Sequence, residues 1–317
     1  MLKYLVIQLD DTSTSFCHYS THKSKRRLID LDTLRRGIIF AMKENLRIQF
    51  VFPDYKLPNE YFSEINSIDH AIIVSSQCKD ADLKNKADII VFNTWDEAYN
   101  CLLSTDKSYV LRTSKEELFH RSSELEYILK SVGRLNVIIK DIETFSPEDF
   151  IKYEEVLVQI IDIYLSCIKG SNIPQVNLVS DRMMLEKMNN CNAGWESVSL
   201  APDGKFYICP AFYHTDCGAV GDLEEGINIR NSQLYKLDYA PICRQCDAFQ
   251  CKRCVWLNFL TTKEVNTPSH EQCVIAHLER NASRSLMNKA EESGYSFTYK
   301  TIKEIDYLDP FDLIVKK

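Results

Sequence analysis

The stretch YVLRTSKEELFHRSSELEYILKSVGRLNVIIK, Tyr109–Lys140, decides the fold class. It opens on one β-rich run, YVLR, and closes on another, LNVIIK from Leu135. Between them Ser114, with Glu117 three residues on, forms the capping-box signature that starts a helix. Strand, helix and strand in that order are the repeating unit of a parallel sheet. The same reading extends to both sides. YLVIQL from Tyr4, RIQFVF from Arg47, HAIIVS from His70, DIIVFN from Asp88 and QVNLV from Gln175 are further strands, separated by helical stretches or turns. Ser146, followed by Pro147 at the first helical position, starts a helix expected to run to Gly170. Its apolar positions Ile151, Val156, Ile160, Ile163, Tyr164 and Ile168 are expected to turn one face to the sheet. Seven such strands predict an α/β fold, a full or partial (β/α) barrel.

The chain has 317 residues, 45% hydrophobic and 26% charged, enough for one large and one small domain. A formal net charge of -7 and a pI near 5.6 argue against a phosphate-backbone binder, so no nucleic-acid partner is expected. The single dense basic run, KSKRR at Lys23–Arg27, reads as a solvated loop. The first residues lack a secretory signal, and no apolar run reaches the ~18 residues of a membrane span. The expectation is a cytoplasmic protein without a membrane partner.

In that compartment twelve cysteines point to metal or thiolate chemistry rather than disulfides. Cys17, Cys78, Cys101 and Cys167 are scattered, whereas Cys191, Cys209, Cys217, Cys243, Cys246, Cys251, Cys254 and Cys273 form one tract, enough for two four-cysteine sites. CNAGWESVSLAPDGKFYIC, Cys191–Cys209, reads as a hairpin, WESVSL and KFYIC turning at Pro202-Asp203-Gly204. Cys243-x2-Cys246 and Cys251-x2-Cys254 carry the spacing that lets two sulfurs meet one metal centre, iron-sulfur or zinc. His214, His270 and His277 are close enough in sequence to substitute as ligands, although packing is their commoner role. Trp195, Trp256, Phe206, Tyr207, Phe212 and Tyr213 suit either a peptide groove or a core.

Chemistry in a β/α barrel sits at the C-terminal ends of the strands. The loop after the first strand is DDTSTSFCHYS, Asp10–Ser20, with the pattern Ser13-x3-Cys17-x2-Ser20. It resembles the CxxxCxxC loop of radical S-adenosylmethionine (SAM) enzymes, with two of the three thiolates replaced by hydroxyls. One cysteine does not hold a 4Fe-4S cluster. After the second strand PDYKLP, Pro53–Pro58, lacks the glycine-rich turn with which that family receives SAM. Both departures argue against SAM cleavage. Asp10, Asp11, Cys17 and His18 remain as acid, base and nucleophile candidates, against the plainer reading of loop residues of a vestigial site. Cys17 and His18, adjacent on an extended segment, point to opposite faces.

From Cys191 the order of cysteines, with G-x4-C ending at Cys209 and AVGDLEEGI at 219–227, resembles the SPASM domain of radical SAM peptide-modifying enzymes. The central spacings here are four and two residues where that pattern has five and three. The stretch CKRCVWLNFLTTKEVNTPSHEQCVIAHLER, Cys251–Arg280, resembles the CXXX repeat peptide maturase family, relatives of radical SAM/SPASM proteins without an intact radical SAM cysteine motif. The resemblance implies a degenerate radical-SAM-like barrel at 1–185, a cysteine-rich SPASM-like domain at 186–285 and a tail at 286–317. It implies two 4Fe-4S clusters, one on Cys243, Cys246, Cys251 and Cys273, the other on Cys191, Cys209 and Cys254 with Cys217 as the candidate fourth ligand. It further implies maturation of a ribosomally synthesised cysteine-repeat (RiPP) peptide, the protein binding or presenting the precursor, with an active radical SAM enzyme as a second partner. Two other readings stay open: a scaffold or interaction protein stapled by two zinc ions, and an enzyme with non-radical chemistry at the barrel mouth.

Overall fold

The computed structural model describes residues 2–21, 23, 26–170, 173–188 and 191–297. Part of the KSKRR run and the expected tail beyond 297 lie outside the described residues. The first elements are β1 (Tyr4–Gln8), α1 (Leu31–Lys43), β2 (Arg47–Val51), α2 (Asn59–Ile65), β3 (His70–Ser75), α3 (Ala81–Lys86) and β4 (Ile89–Phe92). Next come α4 (Trp95–Tyr99), β5 (Ser108–Thr113), α5 (Lys115–Arg121), α6 (Leu125–Ser131), β6 (Arg134–Ile139), α7 (Pro147–Ile168), β7 (Gln175–Val176) and α8 (Asp181–Met184). The remainder are β8 (Ser197–Leu200), β9 (Phe206–Tyr207), α9 (Pro210–His214), β10 (Gly221–Asp222), β11 (Gly226–Ile227), α10 (Val255–Thr262) and α11 (His270–Glu292). The fold is α/β, mostly parallel, with strands and helices alternating through its first part. Among the described residues no helix is long and apolar enough to cross a membrane.

The elements gather into two compact units, Met1–Phe92 with Asn192–Tyr239, and Asn93–Cys191 with Ala240–Lys317. In the first unit β8 hydrogen-bonds in parallel to β1, Tyr4 opposite Ser197 and Ile7 opposite Leu200, so the hairpin joins the N-terminal sheet. In the first unit the order is β4-β3-β2-β1-β8-β9, parallel except for β9. Asp30 caps α1 by accepting from the Thr33 N–H, and Leu34, Ile38 and Ala41 bury its inner face. Gly37 lets that helix approach the sheet, because a Cβ there would lie 2.5 Å from Leu200 Cδ2.

The second unit contains β7-β6-β5, all parallel. The expected capping boxes are both present, Ser114 with Glu117 on α5 and Ser146 with Asp149 on α7, the latter with Pro147 in its first turn. The buried stripe of α7 runs through Phe150, Tyr153, Leu157, Ile161 and Tyr164 beside Val156 and Ile160. Ile151, expected on that face, is 50% exposed because it lies about 100° around the helix from Phe150. Helix α11 packs along α7. Where they meet, the Tyr153 hydroxyl donates to Glu279 Oε1 at 2.9 Å and Gln250 Nε2 donates to Oε2 at 3.4 Å.

Burial pushes the Glu279 carboxyl up to about 7 from an ordinary 4.5, against the pull of those two donors. A carboxyl raised on folding favours the protonated native state, so its contribution is full below pH 4.5 and is lost as pH rises through about 7. The interval corresponds to about 3 kcal/mol. Urea titrations from pH 4 to 8 should show that decline in the native chain and a flatter profile in Glu279→Gln; equal slopes would remove Glu279 as the cause.

Candidate metal centre

The loop after β1 is held in the first unit by its own polar groups. Asp10 and Ser13 are fully buried. The Ser13 hydroxyl donates to the Val51 carbonyl at 2.7 Å and accepts from the Asp10 N–H at 3.0 Å, joining the ends of β1 and β2. It is therefore spent on the backbone. Cys17 and His18 are half-buried and Ser20 is exposed. Ser13→Ala removes the acceptor of the buried Asp10 N–H, while the Val51 carbonyl keeps the Leu9 N–H at 3.1 Å, so denaturant unfolding should show a loss of about 1–3 kcal/mol.

Asp10 Oδ1 accepts from the Thr12 N–H at 2.8 Å. Its Oδ2 accepts from the Tyr55 hydroxyl at 2.8 Å and from Arg26 Nε at 3.4 Å, while the Arg26 guanidinium lies 3.8 Å above the Tyr55 ring. Asp11 has a different partner, the Tyr213 hydroxyl. Desolvation raises the Asp11 carboxyl above its ordinary value, against that hydrogen bond, and raises Tyr213 also. The two aspartates thus serve separate networks. His214 completes the unit: Gln8 Nε2 donates to its Nε2 at 2.9 Å, and its ring stacks on Tyr19 with centroids 5.4 Å apart. Tyr55, Tyr213 and Arg26 were not legible as Asp10 and Asp11 partners from sequence, since 45, 202 and 16 residues separate the pairs.

The hairpin forms as expected, Ser199 opposite Tyr207 and Leu200 opposite Phe206, with Gly204 at φ +80° in the turn. Cys209 is the N-cap of α9. Cys217 Sγ accepts from Thr215 Oγ1 at 3.4 Å. AVGDLEEGI folds into the β10-β11 ribbon, where a Cβ on Gly221 would fall 1.9 Å from the Gly226 carbonyl oxygen. Of the set expected with these two cysteines, Cys191 and Cys254 belong to the second unit, Cys254 as N-cap of α10.

The second unit also contains Cys243, Cys246, Cys251 and Cys273. A 3-10 turn at Cys243–Gln245 starts the segment, and the Cys246 N–H donates to the Cys243 carbonyl at 3.1 Å. Two amides then point at sulfur with the same spacing. The Ala248 N–H donates to Cys246 Sγ and the Arg253 N–H to Cys251 Sγ, each at 3.4 Å. Desolvation pushes the Cys243 thiol up to about 11. The Cys251 thiol is raised by desolvation and then by the Cys243 and Cys246 sulfurs, which places the three within electrostatic reach of one another. From α11, His277 Nε2 lies 3.5 Å from Cys246 Sγ. Cys273 is one turn earlier on the same face and half-buried. His270 stands at the start of that helix beside the Phe150 ring.

Asp247 anchors this loop. Its carboxylate accepts from Arg280 Nη1 at 3.2 Å, Arg284 Nη2 at 2.9 Å and Arg182 Nη2 at 3.3 Å, and its carbonyl from Arg182 Nε at 2.9 Å. Burial works against the charge, but the arginines overcome it and hold the carboxyl below its ordinary value.

No protein-family model matches the chain, and no curated protein does. Among solved structures it is similar to Streptococcus suis SuiB bound to precursor peptide SuiA, with 12% identity and a TM-score of 0.46 over 84% of this chain and 75% of that one. It is similar also to SuiB bound to S-adenosylmethionine, with 13% identity and a TM-score of 0.43 over 86% and 75%.

Among the described residues no three His, Cys, Asp or Glu side chains stand at the spacing of a formed metal site. The donor set nevertheless fits a soft metal. Three sulfurs are gathered on one short segment, two of them already accept backbone N–H bonds of the kind that tune thiolate ligands, and an imidazole adjoins one.

Proposed function

We propose that the chain is a thiolate metal protein of the peptide-maturation kind, which binds a ribosomally made cysteine-repeat precursor and presents it to an active radical SAM enzyme. The observation that carries the metal part is the pair of amide-to-sulfur bonds at Cys246 and Cys251 beside Cys243. Cys243, Cys246 and Cys251 would hold the centre with Cys273 or His277 from α11; a second set on Cys191, Cys209, Cys217 and Cys254 is what the resemblance alone implies. An iron-sulfur cluster would supply redox chemistry or an iron site for a substrate thiolate. The presenting role rests on the single cysteine of the Ser13-x3-Cys17-x2-Ser20 loop, too few thiolates for a SAM-cleaving cluster, with the Ser13 hydroxyl engaged by β1 and β2. The precursor peptide as partner rests on the resemblance of Cys251–Arg280.

One contact favours a second reading. Three cysteines with His277 are a set that zinc accepts, and the centre would then contribute folding energy alone. Purification without oxygen, followed by assay of iron, acid-labile sulfide and zinc per chain, separates the two. About eight irons and eight sulfides fit both cysteine sets as clusters, and about four of each fit one. Zinc without visible absorption leaves the scaffold reading. In parallel, a fluorescently labelled cysteine-repeat peptide should bind the loaded protein, in preference to a serine-substituted copy. Equal binding of the two would overturn the peptide assignment.

A further inference from the structure

The last two residues of the basic run, Arg26 and Arg27, are pinned to the first unit, where sequence suggests a solvated loop. Asp10 pairs with Leu28 as an antiparallel bridge, the Asp11 N–H donates to the Arg27 carbonyl at 2.9 Å, and the Ile29 N–H donates to the Leu9 carbonyl at 2.8 Å. Arg26 is thereby set against the loops that follow β1 and β2, at the C-terminal ends of those strands where β/α folds place their chemistry. Its guanidinium lies 3.8 Å above the centroid of the Tyr55 ring, and its Nε reaches Asp10 Oδ2 at 3.4 Å. An aromatic face holds an arginine plane in a fixed orientation.

Asp10 has closer donors than that arginine. Its oxygens accept from the Thr12 N–H at 2.8 Å, from the Thr12 hydroxyl and from the Tyr55 hydroxyl at 2.8 Å, and the bond from Arg26 is the longest of the four. Among the described residues the Arg26 guanidinium meets Asp10 and Tyr55, while 54% of the side chain faces solvent. A guanidinium carries five N–H donors, and these two partners do not exhaust them. An oriented cation with donors to spare, at the strand ends, is built to receive an acceptor from outside.

We propose that Arg26, held on the Tyr55 ring, anchors a carboxylate of the precursor peptide. Shape and charge select that ligand. The guanidinium fork presents parallel N–H donors to the two oxygens of a carboxylate, and the neighbouring Arg27, also exposed, adds a second positive charge. A chain with a net charge of -7 repels an acidic peptide at long range, and these two residues reverse the sign at one place. The inference rests on the peptide reading above and names the group that is recognised, from an acidic side chain or from the peptide C-terminus.

The test uses the full chain and three fluorescently labelled cysteine-repeat peptides, read by anisotropy. One carries a glutamate and a free C-terminus, the second has glutamine in place of the glutamate, and the third is amidated at its C-terminus. The native chain should bind the first at least about tenfold more tightly than the copy that lacks the recognised carboxylate, which tells side chain from terminus. Arg26→Gln should weaken the first peptide by that same factor and leave the deficient copy unchanged. Arg26→Lys keeps the charge but loses the fork and should stay weak; full recovery would overturn the fork assignment. The urea midpoint of Arg26→Gln should stay near the native one, since Asp10 keeps its three closer donors; a large fall would make Arg26 a structural partner of Asp10 and overturn the inference. Equal native affinity for all three peptides, or equal weakening of all three by Arg26→Gln, would overturn it while the peptide reading stands. A native chain that binds none of them overturns that reading and this inference with it.

Discussion

Asp247→Ala should lower the unfolding free energy by about 3–5 kcal/mol, because it leaves buried arginines without the anion that made their burial tolerable. Arg182 and Arg280 are each 1% exposed, so neither reaches water when the carboxylate is removed. The native contacts come from three guanidinium groups and reach both the side chain and the carbonyl of one residue. Urea unfolding of Asp247→Ala and of Asp247→Leu combined with Arg182→Met measures this. The single variant should be much the weaker, and the double should regain part of the loss, since replacing Arg182 as well removes one of the two fully buried guanidinium groups that the carboxylate had met. A loss under 1 kcal/mol for Asp247→Ala would mean that the arginines find other partners.

The second large effect concerns the metal itself. A ligand that binds only the folded state stabilises it by about 4 kcal/mol at a thousandfold excess over its Kd. The loaded native chain should therefore unfold at clearly higher urea than the same chain after chelation. Cys246→Ser should abolish most of the difference. It replaces the sulfur that accepts the Ala248 N–H and adjoins His277 with a poor soft-metal donor. Cys78→Ser, at a buried thiol in the first unit, serves as the contrast and should leave the metal-dependent increment unchanged. Equal midpoints with and without metal in the native chain would count against a thiolate centre of any kind.

The sequence carried most of the sheet. All seven early strands were legible because their apolar runs are bounded by local signals, and the capping residues Ser114 and Ser146 stand where sequence spacing put them. Ile151 shows the limit of that method: helical spacing fixes relative angles along α7, while the face that is covered depends on α11, more than a hundred residues later. The serines at 13 and 20 were readable, but the reason Ser13 is buried was not, since its acceptor is Val51 in the next strand. Two C-x2-C spacings stand in the sequence, at Cys243–Cys246 and Cys251–Cys254. Arg253 was concealed inside one of them, as a basic residue that composition alone assigns to the surface. His277 carried a usable signal, its four-residue offset from Cys273, which sets both on one helix face.

Helix α11 repeats that offset. Cys273, His277, Arg280 and Arg284 follow at intervals of four, three and four residues, so a single stripe of the helix serves the cysteine segment and Asp247 together. Inserting or deleting one residue within the stripe would turn everything beyond it by about 100° and detach one set of contacts from the other. The length of α11 between Cys273 and Arg284 thus behaves as a fixed ruler.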